Sequence, residues 1–290
     1  MIATTDDMPA NPLQDVVAHY QAVDEDARLR TGCFQLEFAR TKELILRHLP
    51  PAPAVIVDAG GGSGPYAFWL AGLGYEVHLL DPVPKHIEQA KRTAEAGSPS
   101  LASVALGDAR QLHFGDGSVN AVLLLGPLYH LTERIERLAC LREARRVLRW
   151  EGVVFAAAIS RFASLFAALH EDLFDKAEFA PILERDLREG QHRNNTGNPF
   201  YFTTAYFHRP SELAEEVVES GLDLMDVLPI EGPGWLAKDF DRLWASDEQR
   251  ERLMSCVRQV EKAEELLGVS AHLLAIAKKN DAVRGSTASV

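Results

Sequence analysis

The middle of the chain alternates short apolar runs with longer amphipathic segments. Five runs are short and continuously apolar, which predicts buried strands at 54–57, 76–80, 103–106, 121–125 and 153–159. Apolar residues at helical spacing predict the helices between them, at 65–73, 85–96 and 133–149. Continuous apolar strands joined by helices are typical of a parallel sheet covered on both faces.

The same alternation returns near the carboxyl end of the chain. A helix is predicted from Pro210, and it is followed by a strand at 222–227, a helix at 247–267 and a strand at 271–277. Together with the five strands above, these segments predict an α/β fold whose seven-stranded, mostly parallel sheet carries helices on both faces. Ligands of such sheets bind beyond the carboxyl ends of the strands, so candidate chemistry is sought there.

Two further segments flank or interrupt this pattern. Apolar residues at helical spacing predict two opening helices, which end before the prolines at 50, 51 and 53. Two helical stripes and a polar, aromatic stretch interrupt the later alternation, where a lid over the sheet is expected. The predicted organisation is a disordered N-terminus at 1–12, an N-terminal helical cap at 13–50, a core at 51–160, a substrate-cap insertion at 161–207, the remainder of the core at 208–280 and a disordered tail at 281–290.

Composition narrows the class of partner. The 290 residues are 47% hydrophobic and 25% charged, which excludes a disordered or collagen-like chain. The net charge of −12 disfavours nucleic-acid and membrane partners and favours a small molecule. Three cysteines argue against a disulfide framework, and the scattered histidines show no metal-ligand spacing, so we predict no metal site. No long apolar stretch is present, and we expect a cytoplasmic protein.

The sharpest local signal lies where the first predicted strand ends. Residues 55–58 run directly into the glycine-rich segment 60–64, which opens the next helix. Glycines are needed where a ligand approaches the backbone more closely than a Cβ allows, or where φ is positive. Asp81 ends the second strand, and an acid there can accept both hydroxyls of a ribose. In one register the glycines also fit a dinucleotide fingerprint, so a nicotinamide enzyme stays open at this point.

Three further segments extend this signal in chain order. Residues 106–110 follow the third strand and centre on Asp108, residues 120–131 contain the fourth strand, and residues 144–152 end a basic helix. Together with the glycine-rich turn and Asp81, these segments resemble the class I S-adenosylmethionine-dependent methyltransferases. The resemblance implies a Rossmann-like core and S-adenosyl-L-methionine as the cofactor.

The resemblance covers residues 54–160 closely and 208–278 by element order, and it does not extend to the substrate cap. At 150–152 the chain has Trp-Glu-Gly where the family commonly has Pro-Gly-Gly, a departure in a turn away from the cofactor. By resemblance, Asp81 binds the ribose and Asp108 lies near the adenine amino group. An aromatic residue on the first helix could close over the methionine end of the cofactor. The predicted cofactor-binding residues are Tyr20, Asp58, Gly60, Gly62, Asp81, Asp108, Ala109 and Leu125.

Methyl transfer mainly requires that the protein align the two reactants. A methyl group on a sulfonium transfers by in-line displacement, so the enzyme aligns its reactants and excludes water. An acceptor that ionises poorly also needs a base, for which His130 is the first candidate and His208 the second. The alternative for His130 is a residue that starts the next helix and packs under the lid, and for His208 it is the end of a connector, which is the favoured interpretation of that residue. The candidate substrate-binding residues are the aromatic side chains near the predicted cap, namely Tyr129, Phe162, Phe166, Tyr201 and Tyr206.

The sequence therefore predicts an enzyme that transfers a methyl group from S-adenosyl-L-methionine to oxygen or nitrogen of a small-molecule acceptor, with carbon less favoured. Two alternatives stay open. One is an NAD(P)-dependent oxidoreductase, and the other is a non-catalytic regulatory protein that binds S-adenosyl-L-methionine. The sequence does not indicate the identity of the acceptor or the oligomeric state, for which a homodimer is one option.

Overall fold

The computed structural model describes residues 12–23 and 25–280. The segments predicted to be disordered lie outside these residues, except for Pro12, where the first helix begins. The strands are β1 Val55–Ala59, β2 Glu76–Asp81, β3 Ser103–Leu106, β4 Val119–Leu124, β5 Leu148–Ser160, β6 Gln191–His192, β7 Ala205–His208, β8 Asp223–Pro229 and β9 His272–Lys278. The helices are α1 Pro12–Ala22, α2 Glu25–Arg28, α3 Phe34–Leu46, α4 Pro65–Gly72, α5 Pro84–Glu95, α6 Pro127–His130, α7 Arg134–Val147, α8 Ala163–His170, α9 Ala180–Glu189, α10 Pro210–Glu219, α11 Phe240–Ala245 and α12 Asp247–Val260.

The described strands form one sheet around a parallel centre. The path β3-β2-β1-β4-β5 is parallel throughout, and β9 lies antiparallel between β5 and β8. This arrangement confirms the predicted α/β fold with a mostly parallel sheet. Because β9 runs against the parallel strands, its first residue, His272, lies at the edge where the parallel strands end, opposite Ile159 of β5.

The described sheet has two strands more than the seven predicted: β6 lies in the segment expected to be a cap, and β7 ends one residue beyond it. β7 continues the parallel pairing at the end of β5, where Ile159 pairs with Phe207, and β6 pairs antiparallel with β7. Each pairing covers only two residues, which is too short to produce a recognisable alternation in the sequence. The segment 161–207 therefore contributes to the edge of the sheet as well as to a cap.

Two hydrophobic cores cover the faces of the sheet, because neighbouring residues of a strand point to opposite sides. Ile56 of β1 is fully buried with Leu70 of α4 on one face. Val57 is fully buried on the other face, where Leu141 of α7 packs. These faces explain why the central strands are continuously apolar. None of the described helices has the length and apolar character needed to cross a bilayer.

The cap has a small core of its own and is tied to the sheet by a buried carboxylate. Ala168, Phe179 and Ile182 pack together between α8 and α9. Asp186 of α9 is fully buried and accepts hydrogen bonds from the hydroxyl of Ser164 and from Nδ1 of His192 in β6, the latter at 2.8 Å. A buried carboxylate is stable only with such partners, so this network holds the cap against the edge of the sheet.

Candidate active site

A cavity of about 430 Å³ opens at the carboxyl edge of the parallel strands. Its walls come from the loops that follow successive strands: 60–63 after β1, 81–83 after β2, 108–110 after β3 and 125–131 after β4. Parallel strands bring these loops to one edge although they are far apart in sequence. We call this space the first cavity.

The glycine turn is closed on the side of the sheet and open toward the first cavity. A Cβ on Gly61 would lie 2.5 Å from the carboxyl carbon of Asp58, so the turn packs tightly against the strand below it. Gly62 has φ +62°, and a Cβ there would meet nothing closer than Nδ1 of His86 at 4.0 Å. The turn therefore leaves a cradle of exposed backbone that a side chain would fill.

Asp81 lies at the tip of β2 with both carboxylate oxygens engaged by the protein. One oxygen accepts the backbone N–H of Gly62 at 2.9 Å. The other accepts the N–H of Val83 at 2.8 Å and a hydrogen bond from Nδ1 of His86 at 3.0 Å. Each carboxylate oxygen has two lone-pair positions and three of the four are taken, so one position is left to accept a hydrogen bond from a ligand in the cavity that Asp81 lines.

Asp108 and Ala109 form the wall after β3. Asp108 binds the guanidinium of Arg110 through both of its oxygens, at 2.6 to 3.0 Å, and Arg110 also pairs with Glu136 of α7. These pairs hold the loop beside the first cavity, which Asp108, Ala109 and Arg110 all line. The pKa of the Asp108 carboxyl is lowered overall. Burial alone would raise this pKa, but the hydrogen bonds and the charge of Arg110 outweigh burial.

Asp58 is fully buried beneath the glycine turn and is not one of the residues on the described wall of the first cavity. Burial and the nearby charge of Asp81 raise the pKa of the Asp58 carboxyl to about 7. Gly60 does line the cavity, and its N–H donates to the carbonyl of Leu80 at 2.7 Å. A direct contact between Asp58 and a cofactor stays a prediction.

Aromatic side chains close the far end of the first cavity. The hydroxyl of Tyr20 on α1 lies 2.9 Å from Nε2 of His130, and their rings meet edge to face. Burial lowers the pKa of His130 to about 4, so its imidazole is neutral at physiological pH. Leu125 lines the cavity at the end of β4, and Tyr129 lies beside His130. Aromatic faces of this kind attract cations.

A second cavity, of about 550 Å³, lies between the cap and the sheet. Its walls are mostly apolar, and Tyr129 and Tyr201 of the predicted substrate-binding set are among them. The two cavities meet, because four of the described residues line both: Tyr20, Arg28, Tyr129 and His272. A ligand in one space can thus reach a ligand in the other.

Phe162 and Phe166 were predicted to line the substrate site, and the structure places them off the described walls of both cavities. Helix α8 faces the second cavity with Ala163 and Ala167. Each residue advances about 100° around a helix, so the two phenylalanines lie on a neighbouring face. There Phe166 packs edge to face with Trp235.

Tyr206 and His208 also lie off both described cavity walls, in a buried cluster of charged residues. His208 is fully buried with Nε2 3.3 Å from Glu216, and the guanidinium of Arg137 binds Glu216 and covers the ring of Tyr206 at 3.8 Å. Burial raises the pKa of Glu216, but hydrogen bonds from His208 and Arg137 outweigh burial and hold it at about 2. This buried pairing is typical of a structural histidine, and a role of His208 as a base stays a prediction.

Where the two cavities meet there is a charged cluster that the sequence did not reveal as a unit. It consists of Arg28, Glu37 of α3, Glu231 just after β8, and His272 at the start of β9. Arg28 binds both oxygens of Glu37 at 2.6 and 3.1 Å, and Nδ1 of His272 lies 2.6 Å from Glu231 and 3.9 Å from Glu37. Glu231 follows the end of β8, and His272 begins β9. Because these neighbouring strands are antiparallel, both residues lie at the same edge of the sheet.

Comparison with known proteins agrees with this geometry. A family model described as a methyltransferase domain matches residues 56–152. The chain is 29% identical over 192 residues, or 64% of its length, to a ubiquinone biosynthesis O-methyltransferase of Methylocella silvestris, and the match spans 66% of that relative. Both matches support a class I S-adenosylmethionine-dependent methyltransferase whose methyltransferase domain includes residues 56–152.

Solved structures of such methyltransferases share its fold. One from Methanosarcina mazei gives a TM-score of 0.56 at 17% identity, covering 82% of this chain and 97% of the other. One from Mesorhizobium loti gives a TM-score of 0.54 at 17% identity, covering 84% of this chain and 99% of the other. S-adenosyl-L-methionine is the cofactor that this family uses.

The first cavity of this methyltransferase fits that cofactor by the chemistry of its walls. The carboxylate of Asp81 has an acceptor position for a ribose hydroxyl, Asp108 and the Ala109 backbone lie at the next strand tip, and Gly62 leaves backbone uncovered. The aromatic rings of Tyr20 and Tyr129 suit a sulfonium at the end where the second cavity begins.

Proposed function

We propose that the protein transfers the methyl group of S-adenosyl-L-methionine to an oxygen of a small acceptor whose apolar body occupies the second cavity, with nitrogen as the second choice. The observation that carries this proposal is the meeting of the two cavities at Tyr20 and Tyr129. One cavity has carboxylates and an uncovered glycine turn, and the other is largely apolar. The preference for oxygen is supported by the name of the relative from Methylocella silvestris.

In this proposal the protein acts mainly by binding and orientation. The cofactor, when bound, supplies an electrophilic methyl carbon on a positively charged sulfur. Asp81 would accept a hydrogen bond from the ribose, Asp108 and Ala109 would hold the adenine, and Tyr20 with its partner His130 would enclose the sulfonium end. Alignment of two bound reactants can lower a barrier by roughly 7 to 11 kcal/mol, which makes positioning the larger part of the task.

The aromatic walls of the second cavity favour an acceptor with an apolar or aromatic body. Tyr129, Tyr201, Phe202 and Phe207 line this space, and they would exclude water from the reacting atoms once it is filled. The net charge of −12 supports a small-molecule acceptor over a nucleic acid. Three free cysteines are compatible with the reducing cytoplasm that we propose as the location.

A transfer assay tests this function. The protein is incubated with S-adenosyl-L-methionine and a panel of phenols, hydroxybenzoates, aliphatic alcohols and amines, and S-adenosylhomocysteine and methylated products are followed by mass spectrometry. We expect stoichiometric S-adenosylhomocysteine and a methyl ether from at least one apolar phenol.

The other outcomes identify the alternatives. Tight binding of S-adenosyl-L-methionine without turnover on any acceptor would indicate a non-catalytic binding protein and refute the proposed function. Binding of NAD in place of S-adenosyl-L-methionine, with hydride transfer, would indicate an oxidoreductase.

A further inference from the structure

The charged cluster of Arg28, Glu37, Glu231 and His272 is largely buried. Removing charged groups from water costs free energy of folding, so the cluster is a candidate for a role other than stability. Glu37 and Glu231 are 8% and 2% exposed, and the side chain of His272 is 16% exposed. Neutralised pairs of this kind are seldom better for stability than apolar residues of the same volume. All four members line at least one cavity, and Arg28 and His272 line both.

The spacing of Glu37, Glu231 and His272 would allow a metal ion, because one ligand atom from each lies within 4.8 Å of the others. The contacts favour an ion-pair network instead. Two atoms bound to the same metal at about 2.1 Å lie about 3.0 to 3.4 Å apart. Nδ1 of His272 and the carboxylate of Glu231 are 2.6 Å apart, which is hydrogen-bond spacing, and Arg28 takes both oxygens of Glu37.

The orientation of His272 is determined by Glu231. A carboxylate only accepts hydrogen bonds, so Nδ1 of His272 carries a proton and donates a hydrogen bond to Glu231. The other oxygen of Glu231 accepts from the hydroxyl of Ser270 at 2.8 Å and from the backbone N–H of His272 at 3.0 Å. Among the described residues, no group forms a hydrogen bond with Nε2 of His272. The second nitrogen is thus left for a ligand in the cavities that His272 lines.

We propose that His272 is the catalytic base of methyl transfer and that Glu231 is the residue that positions it, an inference that rests on the proposed function. The acceptor hydroxyl, oriented by the second cavity, gives its proton to Nε2 of His272. The hydroxyl oxygen forms a bond to the methyl carbon, and the carbon–sulfur bond breaks with its electron pair staying on sulfur. The imidazolium then loses a proton to solvent.

The charges that face His272 set the pH at which it can accept a proton. Burial lowers the pKa of His272, but Glu37 and Glu231 outweigh burial and raise it to about 9, while Arg28 opposes them. At pH 7 only about one molecule in a hundred then has a neutral imidazole. Catalysis through His272 should rise about tenfold per pH unit up to about pH 9. His130, with its pKa of about 4, would give no such rise above neutral pH.

The first test measures the histidine itself. Proton and ¹³C resonances of labelled histidines are titrated in the cofactor-free protein, and His272 is assigned from the signal that disappears in His272→Asn. We expect this signal to titrate near pH 9 in the wild type. In Glu231→Gln it should titrate below about pH 8, because a neutral amide replaces one of the two carboxylates. Glu248→Gln, on the exposed face of α12, is the matched control and should change nothing.

The second test asks whether His272 meets a hydroxyl group. Binding of 1-naphthol and of its methyl ether, 1-methoxynaphthalene, is measured by calorimetry at pH 9 with S-adenosylhomocysteine present. His272→Asn retains a donor near the position of Nδ1 and removes Nε2. It should weaken 1-naphthol at least tenfold and change the binding of the ether less than twofold. Exposed His113→Gln should leave both unchanged.

These tests separate failure of the inference from failure of the proposed function. A wild-type His272 that titrates near 6.5, or equal binding of 1-naphthol to wild type and His272→Asn, overturns the role of His272 even if methyl transfer is observed. The role of His272 is also overturned if the rate of methyl transfer to the best acceptor does not change between pH 6 and pH 9. Stimulation by Mg²⁺ or loss of activity with a chelator would overturn it in favour of a metal site. Absence of S-adenosylhomocysteine binding counts against the proposed function instead.

Discussion

Replacing Asp81 by Asn tests the cofactor site at the carboxylate that joins the glycine turn to the loop after β2. The carboxylate accepts from the backbone of Gly62 at 2.9 Å, from the backbone of Val83 at 2.8 Å and from His86 at 3.0 Å, with one oxygen facing Gly62 and the other facing the remaining two. An amide offers only one acceptor oxygen, so one side of this arrangement must face an N–H₂ group. The change keeps the size of the side chain and removes its charge.

The expected loss of cofactor affinity follows from the energy of one hydrogen bond to a charged group. A hydrogen bond to a charged group contributes about 1.5 to 3 kcal/mol, so loss of one such bond to the ribose weakens cofactor binding about 10- to 150-fold. The assay is calorimetric titration of S-adenosylhomocysteine into wild type and Asp81→Asn, with thermal melts to verify folding. Asp116→Asn is the control, because Asp116 is 79% exposed and pairs with Arg146 away from the cavity. An unchanged dissociation constant for a folded Asp81→Asn would refute the assignment.

Three other changes probe separate parts of the structure. His130→Ala should reduce turnover without moving its pH dependence, because the pKa of His130 is already lowered to about 4; a shifted pH–rate profile would contradict this. Gly61→Ala should lower the melting temperature by several degrees, since its Cβ would lie 2.5 Å from the Asp58 carboxyl carbon, and an unaltered melt would show that the turn can yield. The pKa of Glu216 in the folded protein is about 2, below the ordinary glutamate value of 4.5, so the unfolded chain binds more protons between these values and stability falls as pH drops through them. Glu216→Gln should remove that part of the acid sensitivity in melts from pH 2 to 6.

The residues of the first cavity could be found in the sequence because parallel strands end in a regular way. Each apolar run stops at the same edge of the sheet, so the glycines after β1, Asp81 after β2 and Asp108 after β3 are predicted to converge without knowledge of their distances. The structure brings all of them to one cavity. The order of these residues along the chain predicts their convergence, because each crossover helix returns the chain to the edge where strands begin and every strand then ends at the opposite edge.

The second cavity was harder to predict, because the pattern of a short helix does not say which face meets a ligand. Phe162 and Phe166 form a convincing apolar stripe, but the neighbouring face of α8, with Ala163 and Ala167, lines the cavity. Glu231 and His272 escaped notice because they belong to antiparallel neighbours. The strand order β5-β9-β8 brings the end of β8 and the start of β9 to the edge of the sheet where the parallel strands end.

The most direct test of the account is a crystal structure of the protein with S-adenosylhomocysteine and an apolar phenol. We expect adenosine between Asp81 and Asp108, the sulfur beside Tyr20 and Tyr129, and the phenol in the second cavity with its hydroxyl toward His272. Adenosine bound elsewhere, or a phenol separated from the sulfur by the cap, would contradict it.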